Sequence, residues 1–305
     1  MWLEVIFGLI FYRLFRRFYY DDVLDIEGSD SSVLFSVADR LKKLYGANVY
    51  VGLRIPDADT ASRQSIDMVL LTKQELWVIS VKNFSGILTI DGDGSWVCEK
   101  PDKHKAERHP DPVEEARKQA AILESYLEQR GLYFQILNYG DFPSEVINHD
   151  QWMQLKPESK SMLSGWVKSA FRSGKKDMQE SINHNLDFVL SSAPIWDRVE
   201  LKGNKYVLGE FLEFKGKQED VEALRHIRRS KVGHITIQKT SMFGLAPSRL
   251  QVLYSLRDYR TEGASEPEWK EVTVRSSTEI ILQPENVSKV RKFKLSSVSS
   301  MLLSP

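Results

Sequence analysis

The side chains best suited to chemistry sit on two short apolar runs. Ser65-Ile66-Asp67-Met68-Val69 lies in the first and Val78-Ile79-Ser80-Val81-Lys82 in the second, with polar Thr72-Lys73-Gln74-Glu75 between them. Two such runs around a polar break predict a β-hairpin. With a loop of two or four residues, cross-strand partners carry numbers summing to 147, as Leu71 and Leu76 do. Asp67 then faces Ser80, and Val78, Ser80 and Lys82 share its side of the sheet, because strand residues alternate faces. A three-residue loop would put Asp67 on the other side. An acid beside an acid-x-lysine pair is an arrangement that hydrolyses phosphodiesters. Two carboxylates hold Mg²⁺ and the lysine positions or activates the attacking water. Here Ser80 stands where the second carboxylate would be, and a neutral hydroxyl is a poor anchor for a hard divalent cation.

These residues need a scaffold, and the pattern around them predicts one. Val33, Val37, Leu41 and Leu44 form a helical stripe that Gly46 ends. Asn48 to Ile55 alternates as a strand, and the second hairpin strand is expected over Leu76 to Lys82. Gly86 to Ile90 and Ser95 to Cys98 are expected as short strands around Asp91-Gly92-Asp93-Gly94. Asp111 is an N-cap with Pro112 at the first helical position and Glu114 completing a capping-box-like pair. The helix that follows buries Val113, Ala116, Ala120, Leu123 and Leu127 and stops at Gly131. Asp177 to Leu190 is expected to be helical. From about residue 195 the pattern turns to strands, beginning with a hairpin about Gly203-Asn204 whose two-residue turn would set Asp197 opposite Glu210.

Residues 33 to 140 resemble the nuclease-related domain family, NERD, a branch of the restriction-endonuclease-like PD-(D/E)XK fold. The stretches that carry the likeness are Ser65 to Val69, Val78 to Asn83 with Gly86 after it, Trp96, and Asp111-Pro112-Val113-Glu114-Glu115. The family usually reads Gln-Ile-Asp-His, Ile-Glu-x-Lys-Asn and Asn-Pro-x-x-Gln at these places. The resemblance implies a mixed sheet flanked by helices, Asp67 as the metal-binding acid and Lys82 as the catalytic lysine. Ser80 departs at the second acid, and Ser65, Met68, Asp111 and Glu115 depart elsewhere. The Glu that the family's first helix commonly brings is also missing, since no Glu lies between Glu27 and Glu75. The whole chain is similar to plant members of the family. Three readings of the site stand side by side. It is a relic that binds or scaffolds; or Glu114 or Glu115 supplies the carboxylate that Ser80 lacks; or Asp67 and Lys82 form only an ion pair.

The rest of the chain narrows the choice. Lys plus Arg and Asp plus Glu both number 42, so the chain is not a strongly basic nucleic-acid binder, though a local basic groove remains open. Cys98 is the single cysteine, which suits a reducing compartment. The run from Val5 to Tyr12, followed by Arg13, Arg16 and Arg17, is too brief for a simple bilayer span and reads as a membrane-associating helix. Arg225 to Lys231 and Lys289 to Lys294 read as solvated basic faces, Glu213-Phe214-Lys215 as an exposed strand, and Asp91 to Gly94 as a turn rather than a calcium loop.

The expected organisation is a hydrophobic, basic helix at 1–20, a linker at 21–32, a nuclease-like α/β domain at 33–142, a connector at 143–194 and a small β-rich domain at 195–305. The function expected is a non-catalytic NERD module that binds nucleic acid or a protein partner. The alternatives are a Mg²⁺-dependent nuclease using Asp67, Lys82 and a relocated Glu, and a membrane-tethered adaptor acting through its β-rich domain. The location expected is intracellular, anchored through residues 1–20 with the bulk of the chain facing the cytosol.

Overall fold

A computed structural model describes residues 31–57, 62–72, 76–84, 86–99, 106–132, 136–137, 149–155, 168–169, 176–239, 249–257, 268–285 and 287–304. The expected membrane-associating helix at 1–20 lies outside them. Among the described residues no helix is long and apolar enough to cross a membrane. The chain divides into two compact units, one spanning Val33–Ile195 and the other containing Trp196 onward.

The first unit starts with helix α1 (Ser31–Tyr45), which Gly46 ends as the sequence suggests. Its buried face is Leu34, Phe35, Ala38 and Leu41, turned from the expected stripe. Three strands follow, β1 (Asn48–Pro56), β2 (Arg63–Leu71) and β3 (Leu76–Ile79), in the order β1-β2-β3. The β2–β3 ladder pairs Met68 with Ile79, Val69 with Val78, Leu70 with Trp77 and Leu71 with Leu76. Each pair sums to 147, so the register has the parity that sets Asp67 toward Ser80. The second strand stops at Ile79 rather than running to Lys82.

On the other side of β2, Val51 pairs with Met68 and Leu53 with Ile66, which leaves Gly52 opposite Asp67. Gly52 has φ of +68°, a conformation that costs glycine little and an ordinary side chain much. No side chain from β1 therefore competes for the space beside Asp67.

A second ribbon comprises β4 (Ile87–Ile90), β5 (Trp96–Glu99) and β6 (Glu107–His109), ordered β4-β5-β6. Helix α2 (Pro112–Glu128) then packs on β1, β2 and β3. Asp111 caps it by accepting a hydrogen bond from the Val113 N–H at 2.9 Å. Glu114 pairs with Arg117, so the reciprocal half of the expected capping box is absent from the described contacts. Asp111→Ala should lower the unfolding free energy by about 1 kcal/mol in a urea titration, with Asp111→Asn close to neutral.

Short strands β7 (Ile136–Leu137) and β8 (Lys168–Ser169) pair antiparallel around helix α3 (His149–Gln154) in sequence. Helix α4 (Lys176–Ser191) forms where a helix over Asp177 to Leu190 is expected, and its Leu186 and Leu190 enter the same core as Leu53, Ile55, Ile66, Leu123 and Leu127. Asp187 fastens it to β1. One of its oxygens accepts from Asn48 Nδ2 at 2.7 Å and from the Tyr50 hydroxyl. Burial, then the Asp187 hydrogen bond and charge, push the Tyr50 hydroxyl well above its usual pKa.

The unit is α/β as expected. Its described strand pairs are all antiparallel, however, where the resemblance implied a mixed sheet.

The second unit, from Trp196 onward, is built mainly of strands. Its strands are β9 (Asp197–Leu201), β10 (Lys205–Lys215), β11 (Val232–Lys239), β12 (Arg249–Leu256), β13 (Trp269–Arg275), β14 (Glu279–Pro284), β15 (Arg291–Lys294) and β16 (Val298–Leu302). They form one antiparallel eight-stranded sheet ordered β13-β12-β11-β16-β9-β10-β14-β15. Helix α5 (Gln218–Leu224) packs on β10 and β13. Val199, Val252, Ile280, Leu282, Phe293 and Met301 are among the fully buried side chains of its core.

The β9–β10 turn corrects one expectation. Leu201 pairs with Lys205, so three residues lie in the loop and Asp197 faces Gly209 instead of Glu210.

Candidate functional site

Asp67 projects from the middle strand of the first unit, one residue beyond the β2–β3 ladder. Its Oδ2 accepts a hydrogen bond from Ser80 Oγ at 2.8 Å and a longer one from the Val81 N–H at 3.3 Å. Those two bonds explain why β3 ends where it does. After Ile79 the chain turns its hydroxyl and then its N–H to a side-chain carboxylate instead of continuing along the strand.

Gln119 completes the surroundings of Asp67. Its Nε2 donates to Asp67 Oδ1 at 3.4 Å and its Oε1 accepts from the Asp67 N–H at 3.2 Å. Gln119 is only 6% exposed. A buried amide needs partners for both ends, and a single acidic residue on β2 meets both needs. This residue escapes the sequence reading, which takes the buried face of α2 as purely apolar. The signal was its position, next to Ala120 on that face and four residues after Glu115, hence above it on the same side of the helix.

Glu115 and Lys82 form the other half of the site. Lys82 Nζ lies 2.7 Å from Glu115 Oε2, with the two side chains 28% and 41% exposed. Glu115 and Gln119 are i and i+4 on α2, so one helix face reaches Lys82 with the first and Asp67 with the second. The acid and the lysine are therefore both presented to α2. Glu114 is turned away, 53% exposed and 3.7 Å from Arg117. Of the two candidate acids, the helix brings Glu115 to the lysine. The described ion pair of Lys82 runs to Glu115 and not to Asp67.

A divalent cation would need oxygen ligands from at least two of these groups. The donor set does not fit it. Asp67 Oδ2 already accepts two hydrogen bonds, the only proton of Ser80 is spent on it, and the Glu115 carboxylate is held by an ammonium. Among the described residues no three of His, Cys, Asp or Glu come together to hold a metal ion.

Asp91 and Asp93 are bound by Arg108, and Asp93 accepts from the Ser95 N–H and hydroxyl, so the Asp-Gly-Asp-Gly stretch is a braced turn. The Ser95 hydrogen bonds hold the exposed Asp93 carboxyl below its usual pKa. Glu213 and Lys215 are exposed, as expected.

The first unit is thus a small α/β domain in which a strand acid, a hydroxyl and a lysine gather under one helix. Residues 30–143 match the family model NERD, nuclease-related domain. No curated protein and no solved structure matches the chain, so the likeness to plant members gains no support. The eight-stranded unit lies beyond the matched residues.

Proposed function

We propose that the nuclease-related domain of this chain is a degenerate member of the restriction-endonuclease-like fold that binds nucleic acid without cutting it. The observation that carries this reading is the hydrogen bond from Ser80 to Asp67. A serine at the second acidic position removes one metal ligand and occupies the other. Gln119 then takes the remaining oxygen of Asp67, so the group that would hold a metal instead fastens α2 to the sheet. Lys82 keeps a place from which a cation can meet a phosphate, although Glu115 competes for it.

Purified full-length chain, incubated with single- and double-stranded DNA and RNA plus Mg²⁺ or Mn²⁺, should cleave none of them above an Asp67→Ala control. It should retard them in a gel shift that weakens with salt. Cleavage that disappears in both Asp67→Ala and Lys82→Ala would overturn the reading.

One observation favours a second reading. The carboxylate absent at position 80 has a counterpart at Glu115, within 2.7 Å of the lysine. Cleavage lost in Glu115→Gln as well would establish that relocated site.

A further inference from the structure

The ion pair between Lys82 and Glu115 does little for the fold. Both side chains reach solvent, and a solvated ion pair contributes little to stability. Helix α2 has stronger fastenings than this one. The buried Gln119 makes two hydrogen bonds to Asp67, and Leu123 and Leu127 are fully buried in the core. The pair therefore invites a reading other than a structural bolt.

Its geometry supplies one. Asp67 Oδ2 accepts from the Val81 N–H at 3.3 Å, so the chain is anchored one residue before Lys82. From that fixed root a flexible stem carries the ammonium, a compact charge with three donors. The partner it meets is an anionic oxygen at 2.7 Å, the length of a charge-assisted hydrogen bond. A nucleic-acid phosphate offers that same group. Glu114 does not share in this contact, since it pairs with Arg117 along the helix. With Glu115 seated, a phosphate would meet a lysine already paired and a carboxylate beside it.

We propose that Glu115 is an internal competitor for phosphate, holding Lys82 in the free protein and giving it up when a nucleic-acid backbone docks. The inference rests on the nucleic-acid reading above and adds the regulation of the same site. Only molecules with the pair open can offer Lys82 to a phosphate, and the apparent affinity falls by that fraction. Opening the pair exchanges one anionic oxygen for another and leaves the Gln119 and Val81 hydrogen bonds to Asp67 in place. The contact weakens binding to all sequences alike, because phosphate contacts carry no sequence information.

The test is a gel shift of the full chain with labelled single-stranded and duplex DNA, in EDTA so that no metal takes part. Glu115→Gln keeps the size, removes the competing charge and should bind about two- to five-fold tighter than the wild type. Lys82→Gln should bind more weakly, with a salt slope lower by about 1. Adding Glu115→Gln to Lys82→Gln should change nothing further, because the competition needs the lysine. Tightening in both backgrounds would be a general charge effect and overturns the proposal. Wild-type retardation that Glu115→Gln leaves unchanged or weakens overturns it too, while the nucleic-acid reading stands. If neither the wild type nor Glu115→Gln retards any probe, both fall together. Thermal unfolding of Glu115→Gln should stay close to that of the wild type, and a large drop would mark the pair as a structural clamp and sink the inference.

Discussion

Asp197→Ala should unfold the eight-stranded unit or bring it close to unfolding. The carboxylate of Asp197 is fully buried. Its Oδ1 accepts from the Ser304 N–H at 2.7 Å and its Oδ2 from the Phe211 N–H at 2.7 Å, while Arg229 Nε lies 2.9 Å away. One side chain thus joins the first strand of the unit, β9, to β10 where its register shifts after Phe211, and to the last residues of the chain. Alanine would leave two buried N–H donors without an acceptor and a guanidinium, 23% exposed, with Glu210 as its other acidic partner. Each orphaned donor costs about 1–3 kcal/mol, and breaking one side of a buried charged pair costs about 3–5 kcal/mol in all. That is a large part of the stability of an ordinary domain, about 5–15 kcal/mol. The measurement is chemical denaturation followed by tryptophan fluorescence. A loss under about 1 kcal/mol would mean that the hub is dispensable.

The same group gives a pH signature with a fixed sign. Burial raises the Asp197 carboxyl above its ordinary 3.8, against the opposing pull of the Phe211 and Ser304 hydrogen bonds and the Arg229 charge. The folded chain then keeps this proton to higher pH than the unfolded chain does. Its contribution to stability is full below the unfolded value and is lost as pH rises through the folded one. Asp197→Asn removes the titration while keeping the shape. Wild-type stability minus that of Asp197→Asn should therefore be greatest at acid pH and shrink as pH rises. A difference that grows with pH would mean that the donors hold the carboxylate charged.

The contrast between Asp67 and Asp197 shows which parts of the molecule the sequence reveals. Asp67 could be placed by parity alone, since Leu71 and Leu76 bracket a four-residue loop and any even loop gives the same face. At Asp197 the same arithmetic misses by one. Gly203 and Asn204 both adopt positive φ, which suggests a two-residue turn, but Lys202 also belongs to the loop and the partner becomes Gly209. The choice between Glu114 and Glu115 was closed to sequence reasoning for another reason. Neighbouring residues on a helix point about 100° apart, and only the packed position of α2 says which one meets Lys82. Gln119 stayed hidden because a polar residue beside Ala120 is indistinguishable from a boundary residue until its partner is known. The last strand, Val298–Leu302, is hard to read because its serines blur the alternation. It nonetheless sits inside the sheet, between β11 and β9.

Ser80→Glu should turn the first unit into a metal-responsive domain, and it is the strongest test of the site's geometry. Ser80 Oγ and Asp67 Oδ2 are 2.8 Å apart, so a glutamate at 80 sets a second carboxylate against the first. Without metal the variant loses a hydrogen bond of about 1 kcal/mol and gains like-charge repulsion, which raises the pKa of one acid of the pair. Its melting temperature should fall below that of the wild type. A divalent cation relieves the repulsion and binds the folded state, and at 100 times its Kd contributes about 2.7 kcal/mol. For a unit of this size that is about 5–10 °C in Tm. Saturating Mg²⁺ or Mn²⁺ should raise the melting temperature of Ser80→Glu by that amount and leave the wild type unmoved. Ser80→Gln, which matches the size without the charge, should not respond, and Asp67→Ala should abolish the response of Ser80→Glu. A Ser80→Glu variant that ignores metal would show that positions 67 and 80 do not converge on a common ligand. A wild type that already responds, and stops doing so in Glu115→Gln, would show that the carboxylate lost from the strand is replaced functionally from the helix. The two outcomes differ in which acid the metal needs, so thermal shifts alone distinguish a relic from a relocated site before any substrate is known.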